Sequence, residues 1–113
     1  LRTLPEEYRP EPRQVEQWFK AVEEAHFGEV RDLLRAGFDV NTPCPDGSGR
    51  AALHLVCGHL SADYLPLAML LLHCGANLHT PDAQGRLPAQ VCVNPQVAAL
   101  LREHERRLRA FDF

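Results

Sequence analysis

The sequence predicts an all-α solenoid of stacked helix-turn-helix units. Three observations predict it. Gly37-Phe38-Asp39-Val40-Asn41 recurs 38 residues later as Gly75-Ala76-Asn77-Leu78-His79, each copy behind a leucine pair, Leu33-Leu34 and Leu71-Leu72. Asp46-Gly47-Ser48-Gly49-Arg50 recurs as Pro81-Asp82-Ala83-Gln84-Gly85-Arg86, with Gly49 and Gly85 36 residues apart. A third pair, Leu100-Leu101, closes the series. A period of this length marks supersecondary units that bury their apolar faces only against one another.

Each element follows from local chemistry. Pro12 fits the first turn of a helix over Gln14 to Ala25, whose Val15, Trp18, Phe19 and Val22 share one face. A second helix, Glu29 to Ala36, presents Val30, Leu33 and Leu34 and stops at Gly37. The short link Ala25-His26-Phe27-Gly28 forces the two to run antiparallel. From Asn41 to Gly49, Pro43, Pro45, Gly47 and Gly49 impose an extended turn. The plan then repeats. Ala51 to Cys57 is a helix ended by Gly58, and Asp63 caps the next, with Pro66 in its first turn and Leu67, Leu70 and Leu71 inward. A stub helix spans Pro88 to Val93. Asn94 then caps a helix opened by Pro95, with Val97, Leu100, Leu101, His104 and Leu108 on its inner face.

These residues resemble the ankyrin repeat. Gly49-Arg50-Ala51-Ala52-Leu53-His54-Leu55 is similar to the family's glycine, x, threonine, proline, leucine, histidine, leucine opening. Leu70 to Asn77 resembles its second helix and following turn, the segment from Ala21 to Asn41 a capping first repeat, and Gly85-Arg86-Leu87-Pro88-Ala89 a degenerate last one. The resemblance covers residues 14–109 and implies an ankyrin-repeat solenoid with short β-hairpin loops. The expected organisation is an arm or linker over 1–12, repeats over 13–45, 46–81 and 82–109, and a tail over 110–113. Ala51-Ala52 replaces the threonine-proline pair, and the loop from Gly58 to Tyr64 makes the middle repeat three residues longer than usual. Such insertions belong on surface loops.

Composition narrows the function classes. Twelve basic and fifteen acidic residues leave a net charge of −3, so neither nucleic acid nor an anionic membrane is an expected partner. Residues 1–46 are locally acidic, whereas the segment from Val97 onward is slightly basic. Eleven of the twelve cations are Arg, which favours bidentate carboxylate contacts. The longest apolar run, Leu65 to Leu72, is too short to cross a bilayer. Leu1 followed by Arg2 and Glu6-Glu7 does not read as a secretory signal, and a first residue other than Met is what a fragment would show. An intracellular location, cytoplasmic or nuclear, is expected. Cys44, Cys57, Cys74 and Cys92 are accordingly expected as thiols, those at 57, 74 and 92 among small apolar residues.

No constellation points to catalysis. His54, with Cys57 and His59 nearby, invites that reading, but the resemblance makes His54 a structural bridge between backbones. No GxSxG elbow, HExxH pair or phosphate-binding glycine loop occurs. Cys57-Gly58-His59 and His73-Cys74 lack the CxxC spacing of a zinc site, so no metal or other cofactor is expected. Trp18 shares a face with Val15 and Val22 and reads as core. For Phe111 and Phe113, packing on the last unit, binding and fraying all stay open. The resemblance also implies a possible hydroxylation of Asn41, a residue whose own chemistry reads as a turn cap.

The expected function is that of a non-catalytic, monomeric protein-interaction module: an adaptor, inhibitor or targeting domain. The position-by-position match implies a binding surface of Asp46, Ser48, Arg50, His59, Ala83, Gln84 and Arg86. Arg50 and Arg86 occupy equivalent sites and would project together toward an acidic or phosphorylated protein or peptide. The interface would be roughly 1,200–1,600 Å². The alternative is a structural spacer or intramolecular dock in a larger protein, with Leu4, Tyr8, Phe111 or Phe113 packed on neighbouring domains.

Overall fold

The computed structural model describes residues 11–110. Leu4, Tyr8, Phe111 and Phe113 lie outside the described residues, as does most of the expected arm. Five α-helices follow in order: α1 (Pro12–Glu23), α2 (Phe27–Arg35), α3 (Ala52–Cys57), α4 (Tyr64–His73) and α5 (Pro95–Ala110), with a 3-10 turn (Pro88–Gln90) before the last. α1, α3 and the 3-10 turn form one row, α2, α4 and α5 a second. No strand occurs among the described residues. The hairpin-like loops are instead each closed by a single backbone bond, Cys44 N–H to Arg50 O (2.8 Å) and Asp82 N–H to Arg86 O (2.9 Å).

The three units open alike, through a device not visible in the residue types alone. The residue three places into each first helix reaches back to accept the N–H of the residue before it. Gln14 Oε1 takes Glu11 N–H at 3.3 Å, His54 Nδ1 takes Ala51 N–H at 3.1 Å, and Gln90 Oε1 takes Leu87 N–H at 2.8 Å. Each bond satisfies one backbone donor at a helix start, where no intrahelical partner exists. In the second unit the histidine thus does work that Ala51 has no side chain to share.

The first two units also close alike. Gly37 and Gly75 have φ of 99° and 94°, the left-handed conformation that glycine takes without a Cβ penalty. The next N–H reaches back to the helix, Phe38 to Leu33 O (3.0 Å) and Ala76 to Leu71 O (2.9 Å). Phe38 and Ala76 are thereby carried into the core.

That core lies between the two rows and is continuous through all three units. Trp18, Val22, Val30, Leu53, Val56, Leu67, Leu71 and Val97 are essentially inaccessible. Trp18 stacks on Phe38 with ring centroids 4.8 Å apart and planes 29° from parallel.

Several local expectations are corrected. α1 begins at Pro12 and ends before Ala25, which takes the turn itself at φ 55°, while Gly28 sits inside α2. Gly58 keeps a right-handed φ of −82°. Asp63 precedes α4 without a side-chain capping bond. The stub helix is a three-residue 3-10 turn closed by Gln90 N–H to Leu87 O (2.9 Å) and Val91 N–H to Pro88 O (3.2 Å), and Val93 N–H donates instead to Cys57 O of the preceding unit (2.9 Å). Cys74 and Leu108 are exposed. Cys57 is buried as expected, and burial, reinforced by the neighbouring Cys92, pushes its thiol well above the usual range.

Candidate functional site

The two recurring loops are held rigid by their own side chains. In the first, Asp46 Oδ1 accepts the Ser48 N–H at 2.9 Å, and Ser48 Oγ accepts Arg50 Nε–H at 3.2 Å. The Arg50 guanidinium stands 3.7 Å from the Asp46 carboxylate. In the second, Asp82 Oδ1 accepts the N–H groups of Gln84 (2.9 Å) and Arg86 (2.8 Å), and its Oδ2 accepts Arg86 Nε–H (3.0 Å). Aspartate at the head of each loop thus fixes the turn through its own downstream backbone.

The loops are also fixed to each other. Ala83 N–H donates to Ser48 O at 2.8 Å. Gly49, at φ 67°, makes this approach possible, since a Cβ there would sit 2.8 Å from the Ala83 nitrogen. Two further bridges run between units. With Nδ1 of His54 accepting, its proton sits on Nε2, which donates to Arg86 O at 2.9 Å. Asn41 Nδ2 donates to Gly75 O (3.2 Å) while its Oδ1 accepts Asn77 N–H (2.9 Å). Asn41 therefore ties the first turn to the second rather than capping its own.

Six of the seven residues expected at the binding surface lie on these two loops. Asp46, Ala83, Gln84 and Arg86 are exposed; Ser48 and Arg50 are half-buried. His59 is not with them. It lies beyond the far end of α3, about 9 Å of helix away by the ordinary rise per residue. There its Nε2 is 2.7 Å from Glu23 Oε1, its ring stacks on Tyr64 at 4.3 Å, and the Tyr64 hydroxyl donates to Glu23 O. Asn94 meets the same connector from the other side, donating to His59 O (3.0 Å) and Ser61 O (3.1 Å). The extra residues between α3 and α4 are thus clamped between the first and third units.

The two arginines are less free than their exposure implies. Each faces the aspartate of its own loop, and the two aspartates differ in surroundings. The Asp46 side chain is half exposed, whereas that of Asp82 is fully covered. The Ser48 hydroxyl and N–H hold the Asp46 carboxyl down at about 2. The Arg86 N–H, then the Gln84 N–H and the Arg86 side chain, hold Asp82 below its ordinary value.

Two predictions arise here. Arg86→Glu places a second carboxylate beside a covered one and will lower Tm by about 5 °C or more, whereas Arg86→Gln will cost clearly less. Charge reversal at Arg50 and Arg86 together will likewise lower Tm; scanning calorimetry of wild type, the two Arg86 variants and the double variant checks it. The second concerns acid. Because the folded pKa of Asp82 lies below the unfolded value near 3.8, its contribution is fully present above that value. It is lost as pH falls through the folded pKa. In Asp82→Asn, stability will depend less steeply on pH below about 4 than in the wild type, read by acid titration under circular dichroism.

Among the described residues, no three histidine, cysteine or acidic side chains converge to hold a metal ion. No helix there is long and apolar enough to cross a membrane. The arrangement offers a rigid, polar, solvent-facing surface across two loops.

Comparison with solved structures places the fold. The ankyrin repeat domain of Bcl-3, described as a unique member of the IkappaB protein family, superposes with a TM-score of 0.65 at 29% identity, over 75% of this chain and 35% of that one. The chain belongs to the ankyrin-repeat family. Among curated proteins, this ankyrin-repeat chain is 30% identical over 93 residues to Rabankyrin-5 of Mus musculus, covering 74% of the chain and 8% of the relative. It is 38% identical over 77 residues to zinc finger CCCH domain-containing protein 66 of Arabidopsis thaliana, covering 66% and 12%. The chain therefore spans about a tenth of the length of these relatives. No family model matches it. Ankyrin-repeat relatives suggest a protein-interaction module in general terms, and none of these comparisons indicates an enzymatic family.

Proposed function

We propose that this ankyrin-repeat chain binds a protein partner on the surface formed by its two docked loops and the first helices behind them. It acts there as an adaptor, inhibitor or targeting domain within a cell and without catalysis. The observation that carries this reading is the bond from Ala83 N–H to Ser48 O between two internally braced loops. A surface ordered before binding loses little conformational freedom when the partner arrives. Asp46, Ser48, Arg50, Ala83, Gln84 and Arg86 supply its polar groups, and His59 belongs to the clamp at the other end of α3. An acidic or phosphorylated partner would exchange the present Asp46 and Asp82 pairings for its own on the outer N–H groups of the guanidiniums. We read the chain as a monomer, and Asn41 as an inter-unit bridge before any role in modification.

The test compares affinity capture from cell extract by the wild type with capture by Arg50→Gln/Arg86→Gln, identified by mass spectrometry, with folding of both checked by circular dichroism. A protein retained by the first and lost by the second, then rebound in a purified titration, supports the surface. Identical retained sets with a folded variant would refute it.

A further inference from the structure

A second surface lies at the end of the stack, between α5 and the residues that flank the second loop. The last loop and α5 enclose an open groove of about 330 Å³. Leu78, Leu87 and Leu101 form its floor. Arg102, Arg106 and Arg109 line its wall, spaced four and three residues apart and so aligned on one stripe of the helix.

The charge of this groove is unbalanced. Glu105 is its one carboxylate, and it is already engaged by Arg109 (2.7 Å) and by His79 (3.6 Å). Arg106 pairs with Glu103 one turn back on α5. Both arginines are more than three-quarters exposed, and ion pairs of that kind are weak and easily exchanged. Arg102 has no carboxylate partner among the described residues. The result is an apolar trough overlooked by guanidiniums whose present partners cost little to displace. Arginine forks suit carboxylates in a bidentate fit that lysine cannot reproduce.

We propose that this groove docks an acidic segment of a partner protein, one that seats a large apolar side chain on Leu78, Leu87 and Leu101 and sets flanking carboxylates on Arg102 and Arg106. An apolar anchor in a pocket with charges at its rim is the usual division between affinity and orientation. The apolar floor favours such a peptide over a bare phosphate chain.

Fluorescence anisotropy provides the test. The probe is a labelled synthetic peptide with a central Leu-Phe pair flanked on both sides by Asp and Glu. Its controls carry Ser in place of Leu-Phe, or Lys in place of the acids. The expected result is saturable binding of the probe and at least tenfold weaker binding of both controls. Arg102→Gln/Arg106→Gln will weaken the probe at least tenfold, whereas Arg13→Gln/Lys20→Gln, the same charge change on α1, will not. If the first variant fails to fold, salt on the wild type decides: raising it from about 50 mM to about 0.5 M must weaken binding strongly. No binding at about millimolar protein, equal binding of the lysine peptide, or salt-insensitive binding overturns the proposal. So does a folded Arg102→Gln/Arg106→Gln variant of unchanged affinity, or self-association of the chain that displaces the probe.

Discussion

Replacing Asn94 with alanine will destabilise the fold by about 3 kcal/mol, the largest effect expected of any polar substitution. Asn94 is almost completely buried, yet all of its polar capacity toward neighbours is used. Its Oδ1 accepts from Gln96 N–H (3.0 Å) and Val97 N–H (3.3 Å), capping α5. Its Nδ2 donates to His59 O and Ser61 O, holding the long connector of the second unit against the third. Loss of a cap costs about 1 kcal/mol, and each bridging bond whose acceptor is left in a covered site about as much again. Asn94→Ser retains an acceptor for the cap and loses the bridge, so it will fall between wild type and alanine. Urea unfolding of the three proteins gives the order; an alanine variant within about 0.5 kcal/mol of wild type would contradict the account.

Trp18→Ala will cost about 3–5 kcal/mol, the range for emptying a large aromatic site in a core. The indole is fully buried and stacked on Phe38, which is itself positioned by the turn after Gly37. Removing it therefore leaves a cavity and undermines the close of α2. The informative comparison is Trp18→Phe. The indole N–H has no hydrogen-bond partner among the described residues. Phenylalanine would keep the stack and discard an unsatisfied donor, so it will lie within about 1 kcal/mol of wild type. A phenylalanine variant as damaged as the alanine one would mean that the N–H has a partner after all.

The fold was legible because its punctuation is local. Leucine pairs mark the second helices, Gly37 and Gly75 end two of them, and Asn94-Pro95 opens the last; each signal acts within a few residues of itself. The candidate surface was legible only in outline. Asp46 and Asp82 head loops of the same pattern, yet one side chain is half exposed and the other covered. The reason is sequential position: Gly49 of the first loop lies against the backbone of Asp82 and Ala83, while no earlier loop among the described residues covers Asp46. The pairing of Arg50 and Arg86 with those aspartates, four residues upstream, could have been read from spacing alone. The link between His59 and Glu23, 36 residues apart, could not. It depends on the path of an inserted connector, which no period in the sequence describes.

Solution NMR across the junction of the two loops tests the central claim most directly. Gly49 and Ala83 are 34 positions apart in the chain, and their backbones approach only if neighbouring hairpins lie in register. A nuclear Overhauser effect between Gly49 Hα and the Ala83 amide, with slow solvent exchange of that amide, is the expected result. A fast-exchanging Ala83 amide with no such contact, in a chain whose helices are otherwise formed, would contradict it.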